Sequence, residues 1–294
     1  MRRGEILFSY DSLDTWGFEL ERSNKNKKGE PFTFPNSFIQ AIGYIRCSFH
    51  LPYRQTEGII NATGKSIPDK SPSFGHISKR INKLNIDIKR RNKTDEDDLI
   101  IAVDITGIKV TNRGQWKAQE WNVQNKKGYL KIHVAVNIKT KEILALEVTD
   151  EKVNDGRMLK KLINHVLAGC TTKTRGPNKM VIKIKSALGD GAYDSNANFR
   201  YLQEKGITPG IKIRKNPIVS PKNNRLRNQE VIQQTKKDLL KWKKKRKPGH
   251  RWIAETAFST IKRTFGEYVS ATKFNNMIKE MMIIVSLYNL FRRL

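Results

Sequence analysis

Acidic residues are scarce in this chain: 28 Asp and Glu stand against 57 Lys and Arg over 294 residues, a formal net charge of +29. That excess goes far beyond what solubility requires and points to a polyanionic partner. Cysteine is scarcer still. Cys47 and Cys170 lie far apart and outside any CxxC spacing, which excludes a disulfide framework and a cysteine metal site and fits a reducing compartment. Long apolar runs are missing too. The most apolar stretch, Met281 to Phe291, contains Ser286 and Asn289 and falls well short of the ~20 residues that span a bilayer. Behind Met1 stand Arg2, Arg3, Gly4 and Glu5, and the apolar piece Ile6 to Phe8 is too short for a secretion-signal core. The expectation is a protein with no membrane partner and a cytoplasmic, nucleoid-associated location.

What is present suffices for a packed interior. Hydrophobic residues make up 37% and aromatics 9%, which excludes a wholly disordered basic tail. The length allows one large domain or two modest ones. Charge is concentrated: residues 205–247 hold 15 Lys and Arg but only 2 acids, Glu230 and Asp238. That segment ends in Lys241, Trp242, Lys243, Lys244, Lys245, Arg246 and Lys247, whose mutual repulsion is relieved by solvent or by phosphates.

Three regions follow one another. Up to residue 98 the pattern is helical, and we expect a small helical, helix-turn-helix-like DNA-binding region over 1–98. Phe38, Ile39, Ile42, Ile45 and Phe49 recur at helical spacing until Pro52 intervenes. Ser73 is placed to cap a helix with Phe74, Ile77, Ile81 and Leu84 on one face and His76, Lys79, Arg80 and Lys83 on the others. Arg54 to Asn61 would be the first helix of the motif, although Ala62 to Pro72 is longer than the usual tight turn. Lys79, Arg80 and Lys83 are the expected DNA-facing cations here.

The period changes after the acidic linker Asp95 to Asp98. Leu99 to Val103 reads as a central strand ending on Asp104, with Ile108 to Val110 after it. Leu130 to Ile138 alternates strictly, and Ile143 to Val148 is another strand. Asp155 is placed to cap a helix through Leu159, Leu162, Ile163 and Val166. Ile182 to Leu188 is a strand stopping at Gly189, Asp190 and Gly191; Asp194 then caps a helix with Phe199 and Leu202, and Ile207 to Ile213 is the fifth strand. His133 sits mid-strand and reads as structural. The last region is helical: a basic segment at about 214–248, a helix from Arg251 to Gly266, and a closing helix from about Phe274 to Arg292.

Acids at the ends of strands one and four and on a late helix describe an α/β, ribonuclease H-like catalytic domain over 99–294, a mixed five-stranded sheet with flanking helices. Strands one and four are neighbours in such a sheet, so Asp104 and Asp190 would face each other with Glu255 in reach. Three hard oxygen ligands in a basic groove suit a pair of Mg²⁺ ions. Arg251, Glu255 and Lys262 share a helix stripe, because four residues turn a helix by about 400° and seven by about 700°.

These residues resemble the DDE transposases of bacterial and archaeal insertion sequences. Val103 to Val110 resembles their first-acid segment, and Gly189, Asp190, Gly191, Ala192, Tyr193, Asp194 and Ser195 resemble the second. Arg251, Glu255 and Lys262 hold the last three places of the signature Y-x2-R-x3-E-x6-K, with Pro248 in the tyrosine's place. The resemblance covers about Leu99 to Leu294. It implies a metal-dependent enzyme that nicks at an element's ends and joins the freed 3′-hydroxyls to target DNA. Asp104, Asp190 and Glu255 would hold two Mg²⁺ ions, with Mn²⁺ as a substitute. Arg251 and Lys262 would contact phosphates, and Trp252 would pack or stack on an unpaired base. Lys241, Lys243, Lys244, Lys245, Arg246 and Lys247 complete the expected DNA-binding set. Partners implied are double-stranded DNA, at element ends and target, and a second copy of the chain in a synaptic complex. An inactive DNA-binding derivative and a ribonuclease H-like nuclease without strand transfer stay open as alternatives.

Overall fold

The computed structural model describes residues 14–63, 71–86, 88, 99–110, 129–169, 183–235 and 239–293. Asp95 to Asp98, Cys170 and residues 64–70 of the expected interhelical turn lie outside the described residues. The elements run, in chain order, α1 (Trp16–Asn24), α2 (Asn36–Ser48), α3 (Tyr53–Thr63), α4 (Phe74–Lys83), β1 (Leu99–Lys109), β2 (Tyr129–Asn137) and β3 (Ile143–Thr149). There follow α5 (Met158–Gly169), β4 (Ile184–Gly189), α6 (Asn196–Glu204), β5 (Thr208–Ile211), α7 (Arg225–Thr235), α8 (Leu239–Arg246), α9 (Trp252–Phe265) and α10 (Phe274–Phe291). They form two compact units, one of Met1–Lys89 with Ile261–Leu294 and one of Arg90–Thr260.

In the first unit the apolar periodicity of α2 buries Phe38, Ile39, Ile42 and Ile45, which is why that segment is helical. Phe49, expected on the same face, falls beyond the helix end and is exposed. Ser73 caps α4 by accepting the His76 backbone N–H, and Ile77 and Ile81 turn inward. Closing helix α10 buries Met277, Met281, Ile283, Ile284 and Leu287. Ser286, a polar break in that run, is fully buried and shares a 2.8 Å hydrogen bond with the Tyr44 hydroxyl, so its burial leaves no orphan hydroxyl.

Arg80 is not on an open face of α4. It is buried, donates to the Phe34 carbonyl at 3.0 Å and Asn36 Oδ1 at 2.8 Å, and lies over the Phe32 ring at 3.9 Å. Lys79 and Lys83 are exposed. Arg80→Ala should therefore cost stability, about 2 kcal/mol for lost charge-assisted hydrogen bonds and packing. Urea denaturation should show that loss, with Lys79→Ala within about 0.5 kcal/mol of the parent.

The second unit is built on one mixed sheet of order β3-β2-β1-β4-β5. β1 pairs antiparallel with β2 and parallel with β4; β2–β3 is antiparallel and β4–β5 parallel. This is the ribonuclease H-like arrangement read from the sequence, with strands one and four adjacent. Ile101, Val103, Leu162, Ile163, Phe199 and Leu202 share the core between sheet and helices.

Three local expectations need correction. β1 does not stop at Asp104: it is one 11-residue strand, and Ile108 belongs to it, because pairing with β2 continues to Lys109↔Tyr129. Asp104 is nonetheless at an edge, since pairing with β4 ends at Ala102↔Leu188. Asn154, not Asp155, caps the 3-10 turn Asp155–Arg157, and Ser195, not Asp194, caps α6. In both cases the acid is engaged by a cation: Lys131 holds Asp155 at 2.9 Å, and Arg227 holds Asp194 at 2.7 Å.

His133 is fully buried in β2, its Nε2 2.8 Å from Thr149 Oγ1, and burial pushes its pKa from 6.5 down to about 4. An imidazole held neutral in the fold takes a proton more readily once unfolded. Stability is therefore full above pH 6.5 and falls as pH drops toward about 4. The total reaches about 3 kcal/mol. Thermal denaturation from pH 7 to 4 should show this slope in the parent and a shallower one in His133→Gln.

Candidate active site

Two carboxylates and one guanidinium form the centre of the second unit. Asp104 projects from β1 with its side chain only 7% exposed. Arg251 ends the 3-10 segment Pro248–Arg251 that leads into α9; Pro248 opens this segment after Lys247, which takes a left-handed backbone at φ +50°. Arg251 donates through Nη1 to Asp104 Oδ2 at 2.8 Å and through Nη2 to Glu255 Oε1 at 2.5 Å. Glu255 lies one turn into α9 and is 54% exposed. One cation thus ties together acids 151 positions apart in sequence.

Asp190 stands immediately beyond β4. Its Oδ1 accepts the Ala192 N–H at 2.9 Å, which closes the 3-10 turn Gly191–Tyr193. The chain folds back so tightly that a Cβ at Gly189 would stand 2.9 Å from Tyr193 Cδ2, so glycine is required there. Tyr193 is fully buried, and burial together with the Asp104 and Asp190 charges pushes its pKa up.

The charges of Asp190 and Glu255 both reach Asp104. Burial raises the Asp104 pKa most; Arg251 opposes that rise, and the charges of Asp190 and Glu255 add to it. The acids thus make a site that demands positive charge. Among the described residues no group of three or more His, Cys, Asp or Glu is arranged to hold a metal ion. The place between Asp104 and Glu255 is taken by a guanidinium, a stand-in cation on oxygen ligands of the hard type that Mg²⁺ or Mn²⁺ prefers. Carboxylates are the donor type that a divalent ion of this kind takes.

The other expected residues divide by location. Lys262 is half-buried on α9, and Trp252, its first residue, is 52% exposed, with Lys141 Nζ 5.9 Å from its ring. Lys241, Lys243, Lys244, Lys245 and Lys247 are exposed. Arg246 turns inward with Trp242: Arg246 donates to Glu230 Oε1 at 2.5 Å and Trp242 Nε1 to Glu230 Oε2 at 2.6 Å. These bonds fix α8 against α7.

Three residues that support this region belong to no sequence motif: Arg214, Arg227 and Glu230. Glu230 carried a signal, because a near-solitary acid in a strongly basic segment is the natural internal partner of its cations. The arginines carried none, each being one of many basic residues.

Residues 95–290 match a family model described as Transposase DDE domain, and residues 1–113 match a second model of the same description. Among solved structures, the chain is similar to the piggyBac transposase synaptic complex with hairpin DNA, seen by cryo-EM. That likeness has 12% identity and a TM-score of 0.44 and covers 97% of this chain and 73% of that one. It is also similar to the crystal structure of a pre-cleavage Mos1 transpososome, with 10% identity, 91% and 81% coverage and a TM-score of 0.26. The first family match takes in well over half of the sequence, with Asp104, Asp190, Arg251, Glu255 and Lys262 all inside it, and places the chain in the transposase DDE domain family.

Proposed function

We propose that the protein cleaves phosphodiester bonds at the ends of an insertion element and joins the freed 3′-hydroxyls to target DNA, acting as a homodimer on two ends. The observation that carries this reading is the cation-bridged pair Asp104–Arg251–Glu255, with the Asp190 charge acting on the same carboxylate. Asp104, Asp190 and Glu255 would hold the two Mg²⁺ ions, or Mn²⁺ in their place, and the ions would supply activation of the attacking oxygen and stabilisation of the leaving oxygen. Arg251 neutralises Asp104 and Glu255, and its guanidinium, one turn before Glu255, would be placed to grip a phosphate beside the scissile bond. Lys262 and Trp252 extend that grip along α9. Lys79 and Lys83 offer the first unit's contribution to DNA.

The exposed lysines of α8 track the DNA backbone in this reading. Each lost phosphate contact lowers the salt slope by about 0.9 in log affinity per log salt. Replacing Lys243, Lys244 and Lys245 with Gln should flatten the slope by roughly 2 to 3 and weaken binding to all sequences alike. Arg246→Gln should leave the slope at the parent value, since that side chain is committed to Glu230. Filter binding from low to moderate salt measures both.

Incubation with Mg²⁺ and duplexes carrying the element's own flanking ends tests the reaction itself. Cleaved ends joined to target DNA support the proposal. Binding without cleavage means a DNA-holding derivative, and cleavage without joining means a nuclease.

A further inference from the structure

The turn that carries Asp190 is held from outside by two arginines of the basic segment. Arg227, from α7, grips Asp194 with two bonds, Nε to Oδ1 at 2.7 Å and Nη2 to Oδ2 at 3.1 Å. The Asp194 side chain is completely buried and also accepts the Arg214 backbone N–H at 3.2 Å. The Arg214 guanidinium returns to the turn itself: Nε donates to the Gly191 carbonyl at 2.7 Å and Nη2 to the Ala192 carbonyl at 3.3 Å. Asn198 completes the hold by donating to the Tyr193 and Gly156 carbonyls, both at 2.9 Å. Every carbonyl from Gly191 to Tyr193 is thereby bonded by a side chain, and none of those bonds involves Asp190.

Such an arrangement is more than a solvated turn needs. Exposed carbonyls satisfy themselves with water at little cost, whereas a buried bidentate ion pair must overcome the desolvation of both partners. What the bonds achieve is to fix the direction in which Asp190 leaves β4. Its own backbone carbonyl and Oδ1 both bond within the turn, to the Tyr193 and Ala192 N–H groups, so its carboxylate moves with the turn.

We propose that Asp194, Arg227 and Arg214 are positioning residues that lock the Asp190 turn, and that the basic segment serves the catalytic centre through them as well as offering cations to DNA. This rests on the reading of Asp190 as a metal-holding acid. A loose Asp190 would weaken metal binding and slow cleavage, and the defect would yield to higher metal concentration.

The test uses the full chain with Arg214→Ala, Arg227→Gln and Arg227→Lys, with Asp190→Asn as control. Hydrogen exchange needs no metal: the peptide over 189–195 should exchange faster in Arg214→Ala while peptides of β1, β2 and α5 keep the parent rate. Calorimetric Mn²⁺ binding should weaken about tenfold or more in Arg227→Gln and less in Arg227→Lys, with cleavage recovering at raised Mn²⁺. If Arg227→Gln does not melt cooperatively, Arg214→Ala decides, because its loss leaves no buried charge unpaired. Parent-like exchange over 189–195 together with parent-like Mn²⁺ affinity in a folded Arg214→Ala would overturn the lock. Unchanged Mn²⁺ binding in Asp190→Asn would instead overturn the assignment of Asp190, whatever the exchange data show.

Discussion

Asp104→Asn and Asp190→Asn should each reduce nicking of an end-bearing duplex in Mg²⁺ by about 10³-fold or more, while end binding in EDTA stays within a few-fold of the parent. The size follows from the role: a metal ligand supports several kcal/mol of transition-state charge stabilisation, and about 4 kcal/mol is a factor of 10³ in rate. Neither amide alters the charge that DNA meets by more than one unit, so binding changes little. Asp194→Asn should show a smaller loss, since that buried side chain is committed to Arg227 and the Arg214 N–H. Retained nicking in Asp190→Asn beside a dead Asp194→Asn would move the metal-holding role from Asp190 to Asp194. Gel assays of a labelled duplex at saturating metal measure all three.

Arg251→Gln and Glu255→Gln should move metal affinity in opposite directions, although the two side chains touch. Glu255→Gln removes an anionic ligand, so Mn²⁺ binding should weaken at least tenfold and nicking should fall by about 10³-fold. Arg251→Gln removes the cation already seated between Asp104 and Glu255, so Mn²⁺ should bind more tightly without DNA, by about tenfold, while nicking falls for want of a phosphate contact. Lys262→Ala should leave Mn²⁺ binding alone and weaken the DNA complex by about 1 to 3 kcal/mol. If Arg251→Gln weakened the metal as Glu255→Gln does, the guanidinium would be part of the metal's support and not its stand-in.

Much of this was readable from the chain because the signals were periodic. The continuous apolar run of Leu99 to Val103 and the alternation of Leu130 to Ile138 carried the central strands, and Asp190 stands just beyond β4 as read, but the run gave no sign that β1 continues past Asp104 to Lys109. Helix α9 was readable because burial recurs at helical spacing, through Ile253, Ala257 and Ile261. Which acid caps and which pairs was not legible. Asp155 and Asp194 both stand where a cap is expected, yet each is claimed by a cation from elsewhere in the fold, Lys131 or Arg227, and a neighbour takes over the cap. The same long-range pairing decided the fate of the basic residues. Arg80 and Arg246 look like the lysines beside them, but bonds to Phe34, Asn36 and Glu230 turn both inward. A sequence states the sign of a charge and leaves its partner to the tertiary structure.

If Asp104, Asp190 and Glu255 form one divalent-metal site, calorimetric titration of Mn²⁺ into the parent and the three single amide variants will reveal it without depending on DNA or on turnover. The parent should bind saturably, and binding should weaken markedly in Asp104→Asn, Asp190→Asn and Glu255→Gln alike. Parent-like binding in all three variants would contradict it.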